Sequence, residues 1–294
     1  MDSKKDAEKY DQEGRSAEQK KQFKRAIVNF TRAIKLDRNN WTNFFEVGLS
    51  FAKQEEYNKA CSFYKNALVM NPQESLIYFN LGTTLQTLGK IEESIEMYRQ
   101  ALHLNLGDAE AHYNLAIILT TKEKYEEAQR HFVEVLKLDY ARAFMVYNCL
   151  GYSYLLQGEF AKAISEFQKA IGSKEKYTRA YCNLSLVLFC ENRNQEAEDV
   201  FDEGMKMLEE GESKIKVLKG ITESYSREKV RLETKLNNNE EIMAEEKMTL
   251  LKTLVNGLVN ILNLFSQQRN PKKEKRFLWI LARVPEEHLD LYEG

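Results

Sequence analysis

Residues 57–72 read YNKACSFYKNALVMNP, and the same pattern stands at 23–37 as FKRAIVNFTRAIKLD. It returns as IEESIEMYRQALHLN at 91–105, YEEAQRHFVEVLKLD at 125–139, FAKAISEFQKAI at 160–171 and NQEAEDVFDEGMKML at 194–208. The interval is about 34 residues, with one extra residue near 143. Apolar residues recur at i, i+3, i+4 and i+7 in two runs per interval, so each interval predicts two antiparallel helices. Such a chain builds its core by stacking like units on one another rather than by closing a single sheet or bundle.

Small residues hold fixed places in this pattern. The first helices carry Gly14, Gly48, Gly82, Ala116, Gly151 and Ser185 at equivalent positions, and the second helices carry Ala26, Ala60, Ser94, Ala128, Ala163 and Ala197. Further along the second helices come Ala33, Ala67, Ala101, Val135, Ala170 and Gly204, of which only Val135 is not small. A side chain of a few atoms lets two helix axes approach; a bulky one strains them by about 1–3 kcal/mol. Large residues alternate with the small ones: Tyr10, Phe44, Tyr78, His112, Tyr147 and Tyr181 in the first helices, Phe30, Tyr64, Tyr98, Phe132, Phe167 and Phe201 in the second. Both aromatic stripes read as core, small against large.

These residues resemble the tetratricopeptide-repeat family. The family's order of aromatic, Leu-Gly, aromatic or Leu, then Ala, aromatic, Ala and Pro is visible in Phe44, Val47–Gly48, Phe51, Ala60, Tyr64, Ala67 and Pro72. It is visible again in Tyr147, Leu150–Gly151, Tyr154, Ala163, Phe167 and Ala170, although the closing proline is present only at Pro72. The resemblance implies an all-α fold, a right-handed superhelical α-solenoid of about six helix pairs with a C-terminal helical extension. The repeats would start near 7, 41, 75, 109, 144 and 178 within a solenoid spanning 1–211, followed by capping and extension helices over 212–268 and a basic linker with an apolar and acidic tail over 269–294. Repeats 1 and 6 are the least typical, as terminal units often are.

In this family the first helices line a concave surface where partners bind. By repeat position the resemblance places Phe45, Phe79, Asn80, Tyr113, Asn114, Ile117, Met145, Tyr152, Asn183, Leu186 and Phe189 on that surface. Its N-terminal end is charged and its middle is apolar with scattered amides. An apolar groove suits an amphipathic helix or an extended peptide with apolar anchors. Asn80, Asn114 and Asn183 share one position, and an amide can hold a peptide backbone through both donor and acceptor. The ladder resembles that of glycosyltransferase-associated repeats, but Cys149 breaks it, and asparagine is also simply common at this place. Co-chaperone repeats of the carboxylate-clamp type need Lys and Arg where this chain has Met145 and Cys149, and a neutral pair cannot make those charge-assisted bonds.

From about 213 the pattern fades. Residues 212–236 read as a charged helix that caps the last repeat, and 240–268 as a second helix whose apolar face includes Leu254, Leu258, Leu262 and Phe265. That face fits either the solenoid's own groove or a partner, and uncovering it would forgo roughly 1.5–3 kcal/mol per fully buried side chain. Arg269, Lys272, Lys273, Lys275 and Arg276 form a basic linker, and Phe277 and Trp279 mark a final segment suited to docking on a partner or folding back.

Composition bounds the rest. The 294 residues are 43% hydrophobic and 30% charged with a formal net charge of −2, a balance with no field favouring nucleic acid or an anionic membrane. The N-terminal residues lack an apolar signal segment, and the four cysteines contain no Cys-x-x-Cys pair, which together suggest reduced thiols and a cytoplasmic protein, with a cilium or cytoskeletal association compatible with the resemblance. No phosphate loop, H-E-x-x-H motif or nucleophile–base arrangement is present, so neither cofactor, metal nor catalytic residue is expected. His112 stands in the place of a core aromatic and reads as a satisfied core histidine. The expectation is a non-catalytic scaffold or adaptor subunit within a hetero-complex, with a chaperone-type or trafficking adaptor, or an enzyme's regulatory subunit, as the alternatives.

Overall fold

The computed structural model describes residues 2–206 apart from 139, 176 and 192. The expected capping helix, the apolar helix with Leu254, Leu258, Leu262 and Phe265, and the segment with Phe277 and Trp279 lie outside those residues, as do the side chains of Phe189 and Phe201. The described residues form twelve helices: α1 (Asp2–Gln19), α2 (Phe23–Leu36), α3 (Trp41–Lys53), α4 (Tyr57–Met70), α5 (Ser75–Thr87), α6 (Ile91–Leu104), α7 (Ala109–Thr121), α8 (Tyr125–Lys137), α9 (Ala143–Leu156), α10 (Phe160–Ser173), α11 (Thr178–Cys190) and α12 (Asn194–Lys206). The chain divides into two compact units, 1–149 and 150–294, with the boundary inside α9.

In the first unit α1 pairs with α2, α3 with α4, α5 with α6 and α7 with α8, and each second helix packs on the first helix of the next pair. A short turn reverses the chain inside every pair, and one residue of it is left-handed: Lys21 at φ 56°, Glu55 at 62°, Gly89 at 75° and Glu123 at 63°. The left-handed backbone costs a residue with a Cβ roughly 1–2 kcal/mol, which only Gly89 escapes. Side chains then start the next pair: the Asn40 Oδ1 accepts from the Thr42 N–H at 3.1 Å, and the Asp108 Oδ1 from the Ala111 N–H at 3.0 Å. The second helices lack such caps, but α6 and α8 open on Glu92, Glu93, Glu126 and Glu127, whose charges suit the helix dipole.

The second-helix rings make the core. Phe30, Tyr64, Tyr98 and Phe132 are fully buried in the first unit, and so is Phe167 in the second. Each meets the small residue of its own first helix. A Cβ added at Gly48 would stand 2.6 Å from Tyr64 Cε1, one at Gly14 2.6 Å from Phe30 Cε1, and one at Gly82 3.1 Å from Tyr98 Cδ1. In the second unit a Cβ at Gly151 would stand 2.8 Å from Phe167 Cε1. Where serine replaces a small residue it joins the two helices. Ser94 Oγ donates to the Gly82 carbonyl at 2.8 Å, and in the second unit Ser185 Oγ donates to the Ala197 carbonyl at 2.7 Å. These are the same two positions with donor and acceptor exchanged.

The first-helix rings differ from the expectation of a second core stripe. Tyr10, Phe44, Tyr78 and Tyr147 are only half-buried. They sit at the rim of a helix pair, where the outer face of the ring is left for a neighbour: Arg32 lies 5.5 Å over Tyr10, and Phe44 stands 6.4 Å from Phe63.

One core position breaks the apolar pattern. Asn43 is 1% exposed, and neither its amide nitrogen nor its oxygen has a hydrogen-bond partner. The equivalent positions hold the buried Ile77 and Ala111. A buried polar group left unpaired costs about 1–3 kcal/mol, so Asn43→Val is expected to raise the denaturation midpoint by about 1 kcal/mol in urea unfolding. A loss of stability on this substitution would show that the amide is paired in solution.

Candidate functional site

The first helices of the first unit, α1, α3, α5 and α7, set side by side the residues expected to meet a partner. At the N-terminal end the surface is ionic. Arg15 donates to Asp11 Oδ2 and to Glu46 Oε1, both at 3.0 Å, and Lys53 Nζ lies 2.6 Å from Glu18 Oε1. These pairs tie α1 to α3. Burial, and after it the neighbouring Glu18, push the Glu46 carboxyl above the usual carboxylate range.

Three aromatic residues expected on the groove serve chiefly to cover the core rings. Phe45 lies 5.7 Å from Tyr64, Phe79 5.9 Å from Tyr98, and Tyr113 6.1 Å from Phe132, the last edge-on. These are the same two repeat positions in three successive repeats. Phe45 and Tyr113 are buried by the contact, whereas Phe79 stays half-open. Asn80, Asn114, Ile117 and Met145 are also half-open. In the second unit Tyr152 is half-open, while Asn183 and Leu186 are buried. The surface that a partner could reach in the first unit is therefore narrower than the sequence implies, centred on Phe79, Asn80, Asn114 and Ile117.

That centre has a polar network. The Tyr98 hydroxyl donates to Gln86 Oε1 at 2.9 Å and lies 3.0 Å from Thr83 Oγ1. Asn114 of the following repeat also bonds this hydroxyl. Asn80 donates from Nδ2 to the Leu76 carbonyl of its own helix at 2.8 Å, which leaves its oxygen and second amide proton for a ligand. Thr83 and Thr87 likewise turn their hydroxyls onto the carbonyls of Phe79 and Thr83, at 3.1 and 3.0 Å. The polar groups of the empty groove are thus held in place by their own helix.

Beyond the network, Tyr113 stacks on Tyr140 at 6.0 Å, and its hydroxyl lies 3.5 Å from Cys149 Sγ. Arg142 bonds Glu110, and burial followed by Glu110 pushes the Tyr140 hydroxyl up to about 12. Sequence reading found neither this cluster nor the Tyr98 network. A signal for the latter existed: Tyr98 carries a hydroxyl where Phe30 and Phe132 carry none, and a buried tyrosine hydroxyl calls for partners.

Among the described residues no group of three or more His, Cys, Asp or Glu could hold a metal ion. A cleft of about 90 Å³ lined by Glu13, Lys20, Gln22 and Arg25 is smaller than a cofactor site requires. No helix among the described residues is long and apolar enough to cross a membrane.

Antiparallel helix pairs recurring at one interval, with small residues facing large ones, define a helical-repeat protein. Profiles of the tetratricopeptide repeat match residues 79–128, 121–178, 150–205 and, in a second profile, 7–40, together more than half of the sequence. The chain belongs to the tetratricopeptide-repeat family. A solved tetratricopeptide repeat protein from Parabacteroides merdae superposes with a TM-score of 0.63 at 15% identity, over 85% of this chain and 99% of its own. YrrB, described as a TPR protein with an unusual peptide-binding site, gives 0.53 at 22% identity, over 58% of this chain and 88% of its own. MamA from Desulfovibrio magneticus gives 0.55 at 17% identity, over 59% and 97%. At these identities the likeness is one of fold. No curated protein matches the sequence.

Proposed function

We propose that this protein is a non-catalytic scaffold or adaptor subunit of a multi-protein assembly, holding a partner's helix or extended peptide along α3, α5 and α7. The fold and its relatives support protein binding in general. The observation that carries the specific reading is the network at the centre of the first unit, where Asn80, Thr83 and Asn114 surround the Tyr98 hydroxyl between the apolar Phe79 and Ile117. Amides fixed in this way can take a peptide's backbone groups, while the flanking apolar side chains take its anchors. YrrB, of the same fold, is described by its peptide-binding site.

The test is cross-linking with mass spectrometry in a cell extract, followed by affinity measurement on the recovered partner. Asn80→Ala with Asn114→Ala is expected to weaken binding about tenfold or more, equivalent to about 1.4 kcal/mol, at unchanged helix content. Cross-links confined to the second helices, or an affinity unmoved by the double substitution, would rule this groove out as the binding surface.

A further inference from the structure

His112 and His131 occupy the same two repeat positions as Phe44 and Phe63, two intervals earlier in the chain. The phenylalanine rings stand 6.4 Å apart, inclined at 39°, and the histidine rings 5.0 Å apart at 42°. The intervening repeat has Tyr78 and Met97 there. A place filled by large apolar side chains in two repeats is filled in the fourth by a pair that can take up protons.

The hydrogen bonds determine where the protons are. His112 Nε2 lies 3.1 Å from the Leu106 carbonyl, which can only accept, so Nε2 is the protonated nitrogen. A neutral His112 then has a bare Nδ1, and His131 Nδ1–H, 2.8 Å away, donates to it. His131 keeps a bare Nε2. One proton lies between the two Nδ1 atoms. When both rings are protonated both Nδ1 atoms become donors, and the 2.8 Å contact cannot persist.

The surroundings do little to welcome added charge. From α6 the facing group is Arg99; from α8 they are Glu127, Arg130 and Glu134. Both carboxylates are already engaged, Glu127 by Arg99 and Glu134 by Lys137, each at 2.8 Å. Burial first, and then His112, hold His131 down to about 4, with Glu127 acting in the opposite sense.

We propose that the His112–His131 pair is an acid-sensitive latch between α7 and α8, closing the fourth repeat while both rings are neutral and releasing it as they take up protons. The unfolded chain protonates a histidine near the ordinary value of 6.5, whereas the folded chain resists until about 4. Between those limits the unfolded state binds more protons, so folding of this repeat weakens as pH falls, by at most about tenfold per pH unit for each proton. Above about pH 7.5 the latch contributes no pH dependence. Tyr113 and Asn114 follow His112 directly on α7, so release would reach the groove's centre.

The test is amide hydrogen exchange on the full chain at about pH 7, 6 and 5, corrected for intrinsic rates, reading protection in α7 and α8 relative to α3 and α4. The ratio is expected to fall about tenfold or more toward the acid end. In His112→Phe with His131→Phe, and in His112→Tyr with His131→Met, which restore the fillings of the second and third repeats, it is expected to stay flat. A flat ratio in the unsubstituted protein, or the same decline in either double variant, overturns the latch. Should neither variant fold, the imidazole resonances decide: titration of His131 below about pH 5 supports the proposal, and titration near 6.5 overturns it.

Discussion

Phe132→Ala is expected to destabilise the fourth repeat by about 3–5 kcal/mol, the range for emptying an aromatic site in a packed core. The ring is 1% exposed, Tyr113 meets it edge-on at 6.1 Å, and Ala116 occupies the small-residue place on the facing helix. No neighbour is free to fill the void, because Tyr113 is already held between Phe132 and Tyr140. In a stacked chain each unit is stabilised by itself and its neighbours, so the loss is expected to be local. Hydrogen exchange should locate it in α7 and α8, with protection in α1 and α2 retained. A loss below about 1 kcal/mol would mean that the ring is not part of the core.

Gly48→Leu tests the opposite error, too much matter in the same kind of contact. A Cβ alone would come within 2.6 Å of Tyr64, a fully buried ring, and the rest of the leucine needs further room. The expected cost is at least the roughly 1–3 kcal/mol typical of overpacking. The structure also ranks the glycines. At Gly82 the nearest approach is 3.1 Å, so Gly82→Ala should cost less than Gly48→Ala, and at the next equivalent position Ala116 already carries a Cβ. Glu92→Gln is the control. Its ion pair with Lys122, at 2.6 Å, lies in the open, and its removal is expected to leave the denaturation midpoint unmoved. Equal effects of Gly48→Leu and Glu92→Gln would displace the whole register of small and large residues.

Most of the fold was written in residue size. Ala60, Tyr64 and Ala67 recur at fixed places because two helices can approach only where one presents nothing bulky, and that constraint leaves a periodic mark. The groove was harder to read. Repeat position puts Phe45, Phe79 and Tyr113 on one face, but a long aromatic side chain can lie back over a neighbouring ring, and in Phe45 and Tyr113 it does so almost completely. How far a ring is covered depends on its neighbour's rotamer, which one chain of letters does not record. The histidine pair shows the other limit. Each histidine is unremarked by itself, and only the packing of α7 on α8 brings Nδ1 to Nδ1. Asn43 is legible as an oddity among Ile77 and Ala111, yet its lack of partners needed the geometry around it.

The single extra residue in the repeat interval falls between α8 and α9. The connection there, 138–142, takes five residues where 37–40, 71–74 and 105–108 take four. Its placement governs how this gene can vary in length. A residue added inside a helix turns everything after it by about 100° about the axis, which would carry Tyr147 and Gly151 away from the faces they serve. Added between helices, it leaves the phase of each helix as it was: Gly151 still faces Phe167, as Gly48 faces Tyr64. The connections are therefore the places where insertions and deletions can accumulate in descendants of this sequence without rewriting the helices on either side.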